Sequence, residues 1–490
     1  MPINMPPGED YIRFLPELIM TAVGTFMMVL EGILGDDYPG KGKIFGHLTL
    51  LTLIGALGAS VYSNGFPGTA FSDMVVLDGF ATYFRILVIG VGLLTVLSSY
   101  QYLAREKADA AEYHALILFS IVGQCVMVTA NELIMVFIGL EVSSIATYVL
   151  AGFLRDDKRN NEAALKYFLL GSFATAFLLY GIAWIYGAAH STKLNDIRLV
   201  LSNHDIAPNG ILVGAAAALM FVGFAFKVSA APFQIWAPDV YQGAPAPVSA
   251  FMSAGPKAAA FAVFVRVFFT AFGPIVDRWE PFVWASALLT MVIGNFGALM
   301  QSNIKRLLAY SSIAHAGYLM VAIAAHNQIG VAALMFYLAA YALMNIGAFA
   351  VVAHFSRQHE KYVNVEDLAG LAWKQPVTAA LFSIFLLSFI GVPLTAGFFG
   401  KFYIFKAALD AKLIWLSVLG LLNSAVAAYY YLRILVVMYM KEPGEAMETL
   451  EPASAGISLT LWASAVGTLA LGIFPSALIS FARSSSLLIK

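Results

Sequence analysis

The sequence predicts an all-α polytopic membrane protein of about fourteen transmembrane helices, built from two inverted five-helix repeats with discontinuous seventh and twelfth helices. Three observations carry that expectation. Of 490 residues, 60% are hydrophobic and only 12% charged, with a mean hydropathy of +0.80, which is far more apolar surface than a soluble domain needs. Fourteen apolar segments each reach the ~20 residues needed to cross a bilayer. Two of them are broken by proline and glycine beside a lysine, which membrane helices tolerate only where the freed backbone is buried in protein or lines a wet cavity.

In chain order, the first segment spans 11–34, and its run LIMTAVGTFMMVLEGIL is too long and too poorly cleavable for a signal peptide. The next five span 43–62, 78–99, 112–130, 131–153 and 162–188. The seventh, 210–241, begins as an ordinary span, but Lys227 lies inside it and Pro232 follows five residues later, removing a backbone donor and crowding the preceding turn. Pro238, Pro245, Pro247 and Pro256 follow, and Lys257 sits within the eighth segment, 247–272. Segments 281–302, 307–325 and 328–354 lead to the twelfth, 375–406, where Gly391, Pro393 and Gly397 interrupt the run and Lys401 stands just past the break. Segments 412–439 and 456–482 complete the set.

These read as one membrane domain over 1–490. Residues 1–110 hold three helices and a linking loop, 111–273 and 281–440 the two repeats, and 441–490 the last helix. Each break falls on the fourth helix of its repeat, and because five is odd the second repeat crosses in the opposite sense. The polar stretches near 189–208, 355–374 and 440–455 read as loops.

Basic residues set the orientation. One set of loops carries Lys41, Lys43, Arg105, Lys107, Arg155, Lys158, Arg159, Lys305, Arg306, Arg357, Lys361, Lys374 and Lys441. The opposite set, both tails included, carries only Arg13, Lys193, Arg198, Arg278, Lys412, Arg483 and Lys490. The excess places the first set in the cytoplasm and both termini on the other side.

Composition also excludes function classes. A net charge of −1 argues against nucleic acid as a partner. A single cysteine, Cys125, cannot ligate an iron–sulfur cluster or close an internal disulfide. The eight histidines lack paired metal or haem spacing, and no Gly-rich nucleotide loop follows a strand pattern. The chain is expected to bring no redox cofactor of its own.

Ionisable groups inside spans are rare and mark ion or proton paths. Glu141 sits mid-span in the fifth segment and needs a basic partner, for which Lys227 is the best candidate. His315 sits mid-span in the tenth segment between Ser311, Ser312 and Tyr318, and an imidazole suits a proton relay. A buried Lys–Glu pair changes its hold on a proton as its members separate.

The runs GLE at 139–141, EAALKYFLLGSFATAFLLYG at 162–181, GFAFKVSAAPFQIWAPDVYQGAPAPVSAF at 223–251, KRLLAYSSIAHAGY at 305–318 and GVPLTAGFFGKFYIF at 391–405 resemble the antiporter-like membrane subunits of respiratory complex I. The resemblance is strong over the fourth to thirteenth helices and rests on length and order elsewhere. It implies a fourteen-helix membrane-arm subunit that moves protons while other subunits, holding NADH, FMN, iron–sulfur clusters and quinone, carry the electrons. Its partners would be other membrane-arm subunits, including other antiporter-like ones, and the lipid of a bacterial inner membrane. Residue by residue, Glu141 matches the glutamate paired with the seventh-helix lysine, here Lys227. Lys257 matches the central eighth-helix lysine, His315 a tenth-helix relay position, and Lys401 the lysine thought to exchange protons with the outer face. Lysine rather than glutamate at 401 and the lack of a long C-terminal lateral helix fit one subunit type within that family.

Each assignment has a plainer rival. The three lysines could snorkel or form structural ion pairs, Glu141 could be a counter-ion, and His315 a helix–helix hydrogen bond. Lys305 and Arg306 read as ordinary cytoplasmic anchors, Arg266 as an interfacial one, and Asp239 as a cap or orienting group for the half-helix. An Mrp-type or free-standing cation/proton antiporter component is the competing function, and a passive scaffold a third.

Overall fold

The computed structural model describes residues 6–34, 41–203, 208–448 and 450–486; Lys490 of the orientation count lies outside them. Apolar runs of the expected lengths form helices α1 (Leu15–Leu34), α2 (Lys41–Ser63), α3 (Gly79–Glu106), α4 (Ala111–Thr129), α5 (Leu133–Ala151) and α6 (Lys158–Ala189). The seventh segment divides into α7 (Gly210–Val228) and the short α8 (Trp236–Gly243), and α9 (Ala246–Thr270) follows. Then come α10 (Val276–Leu299), α11 (Ile304–Ala324) and α12 (Gln328–Phe355). The twelfth segment is α13 (Pro376–Ile390) and α14 (Ala396–Asp410), and α15 (Ile414–Met440), α16 (Ala455–Ile473) and α17 (Ser476–Ser485) end the order. Among the described residues thirteen helices are long and apolar enough to cross a membrane, and the broken α13–α14 pair accounts for the fourteenth expected segment.

Polar caps start several helices where the sequence leaves hydrocarbon: Asp78 accepts from Ala81 N–H on α3, Asn209 from Ile211 on α7, Asn303 from Arg306 on α11 and Asn327 from Gly330 on α12. The helix α9 is the axis. Its alanine-rich run is buried on every side, enclosed by α3, α4, α5, α7, α11 and α12, while outer helices turn Ile33, Phe173, Phe282 and Trp415 outward as a lipid-facing surface requires.

Both breaks are made the same way. The α7 half ends on Ser229 at φ 62° and α13 ends on Gly391 at φ 93°, left-handed positions that stop a helix, with Pro232 and Pro393 shortly after. At Gly397 a Cβ would lie 1.8 Å from the Ser388 carbonyl oxygen, so only glycine lets α14 pass so close to α13.

Three expected loops carry more structure than polarity suggested. The 189–208 stretch contains a helix, Leu194–Ser202, the 355–374 stretch forms two 3₁₀ turns and the short α-helix Leu371–Lys374, and 440–455 includes Glu445–Glu448. A small antiparallel hairpin, Gly68–Ala70 with Val75–Leu77, is the one β element among the described residues. Pro475 divides the last expected span into α16 and α17.

Candidate functional site

Lys227 is buried on the last turn of α7, one residue before the break. Its ammonium donates to Ser144 Oγ at 2.8 Å and Tyr167 OH at 3.1 Å, and lies 5.9 and 5.3 Å from the ring centres of Tyr148 and Tyr167. Trp236, first residue of α8, stacks on Tyr167 at 4.4 Å and donates its indole N–H to Phe226 O at 2.9 Å, so α8 folds back to fix the lysine's surroundings. The expected Glu141–Lys227 ion pair is not formed. Glu141 is half-buried, its Oε1 has no hydrogen-bond partner, and no basic group of the described residues lies within 4.0 Å. Ser144, one turn further along α5, stands beside the lysine where the carboxylate was expected.

Lys257 lies at the middle of α9 and donates to Ser312 O at 3.2 Å and to Ser312 Oγ, so α11 supplies both acceptors. The hydroxyls of Tyr241 and Tyr341 also point towards Ser312 without a hydrogen bond of good geometry. His315, one turn beyond Ser312, shares hydrogen bonds with Tyr337 OH (2.5 Å, Nδ1) and Tyr431 OH (3.2 Å, Nε2), and Tyr431 also pairs with Ser311 Oγ. The charges of Lys257 and Lys401 both act on this ring.

Lys401 is buried on α14 and reaches back across the second break. Its ammonium donates to Phe389 O (2.8 Å), Ile390 O (3.0 Å) and Ser424 Oγ (2.8 Å), 4.8 Å from the Tyr318 ring centre. Tyr318 in turn accepts from Asn295, which bonds Asn423 and Tyr430. Lys227, Lys257, His315 and Lys401 are therefore each buried beside hydroxyl groups, while Glu141 pairs with none of them.

Other charged groups escaped the sequence reading. Lys305 is no surface anchor: it is fully buried and pairs with Glu360 at 2.6 Å. Arg266, expected at an interface, is buried and forks onto both oxygens of Asp78 at 3.0 Å. Glu17 and Arg85 form a wholly buried pair at 2.7 Å between α1 and α3. Asp239 was read as a cap or orienting group, but its ion-pair partners, Lys166 (2.7 Å) and Arg306 (2.6 Å), were not foreseen. Each partner is distant in sequence, so no local pattern marked it.

Residues 130–427 match the protein family described as "NADH:quinone oxidoreductase/Mrp antiporter, TM". A relative named NADH-quinone oxidoreductase subunit N 1, from Solibacter usitatus (strain Ellin6076), is 63% identical over 482 residues and 98% of each chain. A solved chain of respiratory complex I from Thermus thermophilus superposes with a TM-score of 0.81 at 34% identity, covering 96% of this chain and 99% of that one. A chain of the Mrp complex from Dietzia sp. DQ12-45-1b gives a TM-score of 0.85 at 19% identity over 98% of both, a likeness of fold.

Proposed function

The chain belongs to the NADH-quinone oxidoreductase subunit N family, and on that premise we propose that it is a proton-translocating membrane-arm subunit with no redox step of its own. Electrons pass from NADH to quinone in partner subunits, which hold the FMN, the iron–sulfur clusters and the quinone. The chain sits in a bacterial inner membrane beside other antiporter-like subunits, with both termini on the non-cytoplasmic face. One observation supports this reading above others: buried lysines, hydroxyls and a histidine run from the α7–α8 break through Lys257 to the α13–α14 break. Lysine and histidine each hold or release one proton, and hydroxyls both donate and accept, so the series can pass protons without a cofactor.

The test is NADH-driven proton pumping by the assembled complex in inverted vesicles. Lys257→Ala should lower pumping and coupled quinone reduction at least about tenfold at normal assembly, in the range that positioned acid–base groups contribute. Unchanged pumping would remove the lysine series from the function. The Mrp-like fold supports a second reading, a cation/proton antiporter component. Sodium-driven proton exchange by the chain alone would favour it, as the absence of pumping in the complex would.

A further inference from the structure

We propose that Glu360 is the carboxylate that loads protons from the basic-loop face onto Lys257, with Lys305 as its positioning partner. This inference rests on the proton-translocating reading above.

The segment after α12 folds inward, so Glu360 is only 8% exposed. Its Oε1 accepts from Ala246 N–H at 2.9 Å and from Tyr102 OH at 3.0 Å, and its Oε2 from Lys305 Nζ at 2.6 Å. Lys305 also donates to Ala244 O at 2.5 Å. The pair thus spans the joint between the half-helix and the axis, with the carboxylate on the positive end of α9 and the ammonium on the negative end of α8. A buried ion pair is a poor means of stabilising a fold, because desolvation cancels much of the attraction. Its position offers a better reason.

A cavity of about 180 Å³ opens outside the pair, with Glu360, Arg159, Asp239 and Asn303 on its wall. Inward, Ser249, Ser253 and Lys257 follow at four-residue steps on one face of α9, ending ~16 Å along the axis from Ala246. Opposite them, Lys305 and Ser312 are seven residues apart on one face of α11, and Ser312 holds Lys257. The hydroxyls of Tyr241 and Tyr341 also point towards Ser312. Arg105 and Glu106 of α3 and Arg159 of α6 complete the charges acting around Glu360. In the loading step, hydronium in the cavity protonates the carboxylate and leaves water. The carboxylic acid then passes that proton along the hydroxyls to the neutral amine of Lys257, forming its ammonium and restoring the carboxylate. Lys305 stays charged throughout.

In the assembled complex, Glu360→Gln keeps the size and the acceptor for Ala246 but cannot carry a proton, whereas Glu360→Asp keeps the carboxylate. Pumping should fall at least about tenfold in the glutamine variant and less than about threefold in the aspartate variant. Formate, small enough for the cavity, should restore pumping to Glu360→Ala in a concentration-dependent way. Equal loss in the glutamine and aspartate variants with no rescue by formate would make the pair a structural clamp and overturn the proposal. Lys257→Ala run alongside separates the two claims. If it pumps normally, the translocation reading fails; if it fails while Glu360→Gln pumps normally, only the loading role falls.

Discussion

Lys227 and Lys401 stand at corresponding breaks of the two repeats, yet their ammonium groups meet different chemistry. Lys227 precedes its break and reaches sideways to two hydroxyls, on α5 and α6. Lys401 follows its break and reaches back to two carbonyls at the open end of α13, with Ser424 as the one hydroxyl. Hydroxyls donate as well as accept, so the first shell suits an ammonium and an amine alike. Helix-end carbonyls only accept, and they carry the negative end of the half-helix dipole, so the second shell favours the ammonium. The lesson is that lysines at equivalent breaks need not have equivalent surroundings: Lys227 is held by hydroxyls of neighbouring helices, while Lys401 is held by the carbonyls of α13.

The most severe way to break the comparison is to remove the carriers. Lys227→Ala should reduce pumping at least about tenfold, and Glu141→Gln only a few-fold, because the carboxylate makes no direct contact with the lysine. The double variant, assayed for pumping and NADH:quinone turnover at matched assembly, should be no worse than Lys227→Ala if the two act as one unit.

The backbone offers a sharper contrast of intermediate size. Ser229 holds its left-handed conformation with a buried, unpartnered hydroxyl, so Ser229→Gly should stabilise by about 1 kcal/mol. Gly391→Ala should destabilise by about 1–2 kcal/mol, since φ is 93° and the new Cβ would stand 3.3 Å from Lys401 Cδ. Thermal unfolding of the purified complex, with pumping alongside, reads both.

The smallest expected differences lie in single hydroxyls. Ser144→Ala removes one of two acceptors from Lys227, about 1 kcal/mol or fivefold in pumping rate, whereas Ser424→Ala leaves Lys401 two carbonyls and should cost less than about twofold. Equal effects would show that the two shells are not functionally distinct.

Much of this was legible in the sequence, because a lysine inside an apolar run or a proline and glycine inside a span is a local signal. Lys227, Lys257 and Lys401 stood out for that reason, as did both breaks, and His315 stood out as an imidazole inside a span. What stayed hidden was pairing. Arg85 finds Glu17 68 residues away, Lys305 finds Glu360 55 away and Arg266 finds Asp78 188 away, distances over which only the packed fold decides. Lys305 read as an anchor because it opens its helix beside Arg306, and nothing local says the loop after α12 folds over it. The Glu141 pairing failed more subtly. Charge complementarity pointed to the right helix, but the lysine meets α5 one turn further along, at Ser144.

The central claim, that protons pass through Lys401 itself, is tested most directly by Lys401→Arg. Arginine keeps a positive charge for the α13 carbonyls but is effectively never deprotonated, so the complex should assemble as the wild type does while pumping falls at least about tenfold. Wild-type pumping by the arginine variant in inverted vesicles would contradict the account and leave Lys401 as a fixed charge that holds the second break together.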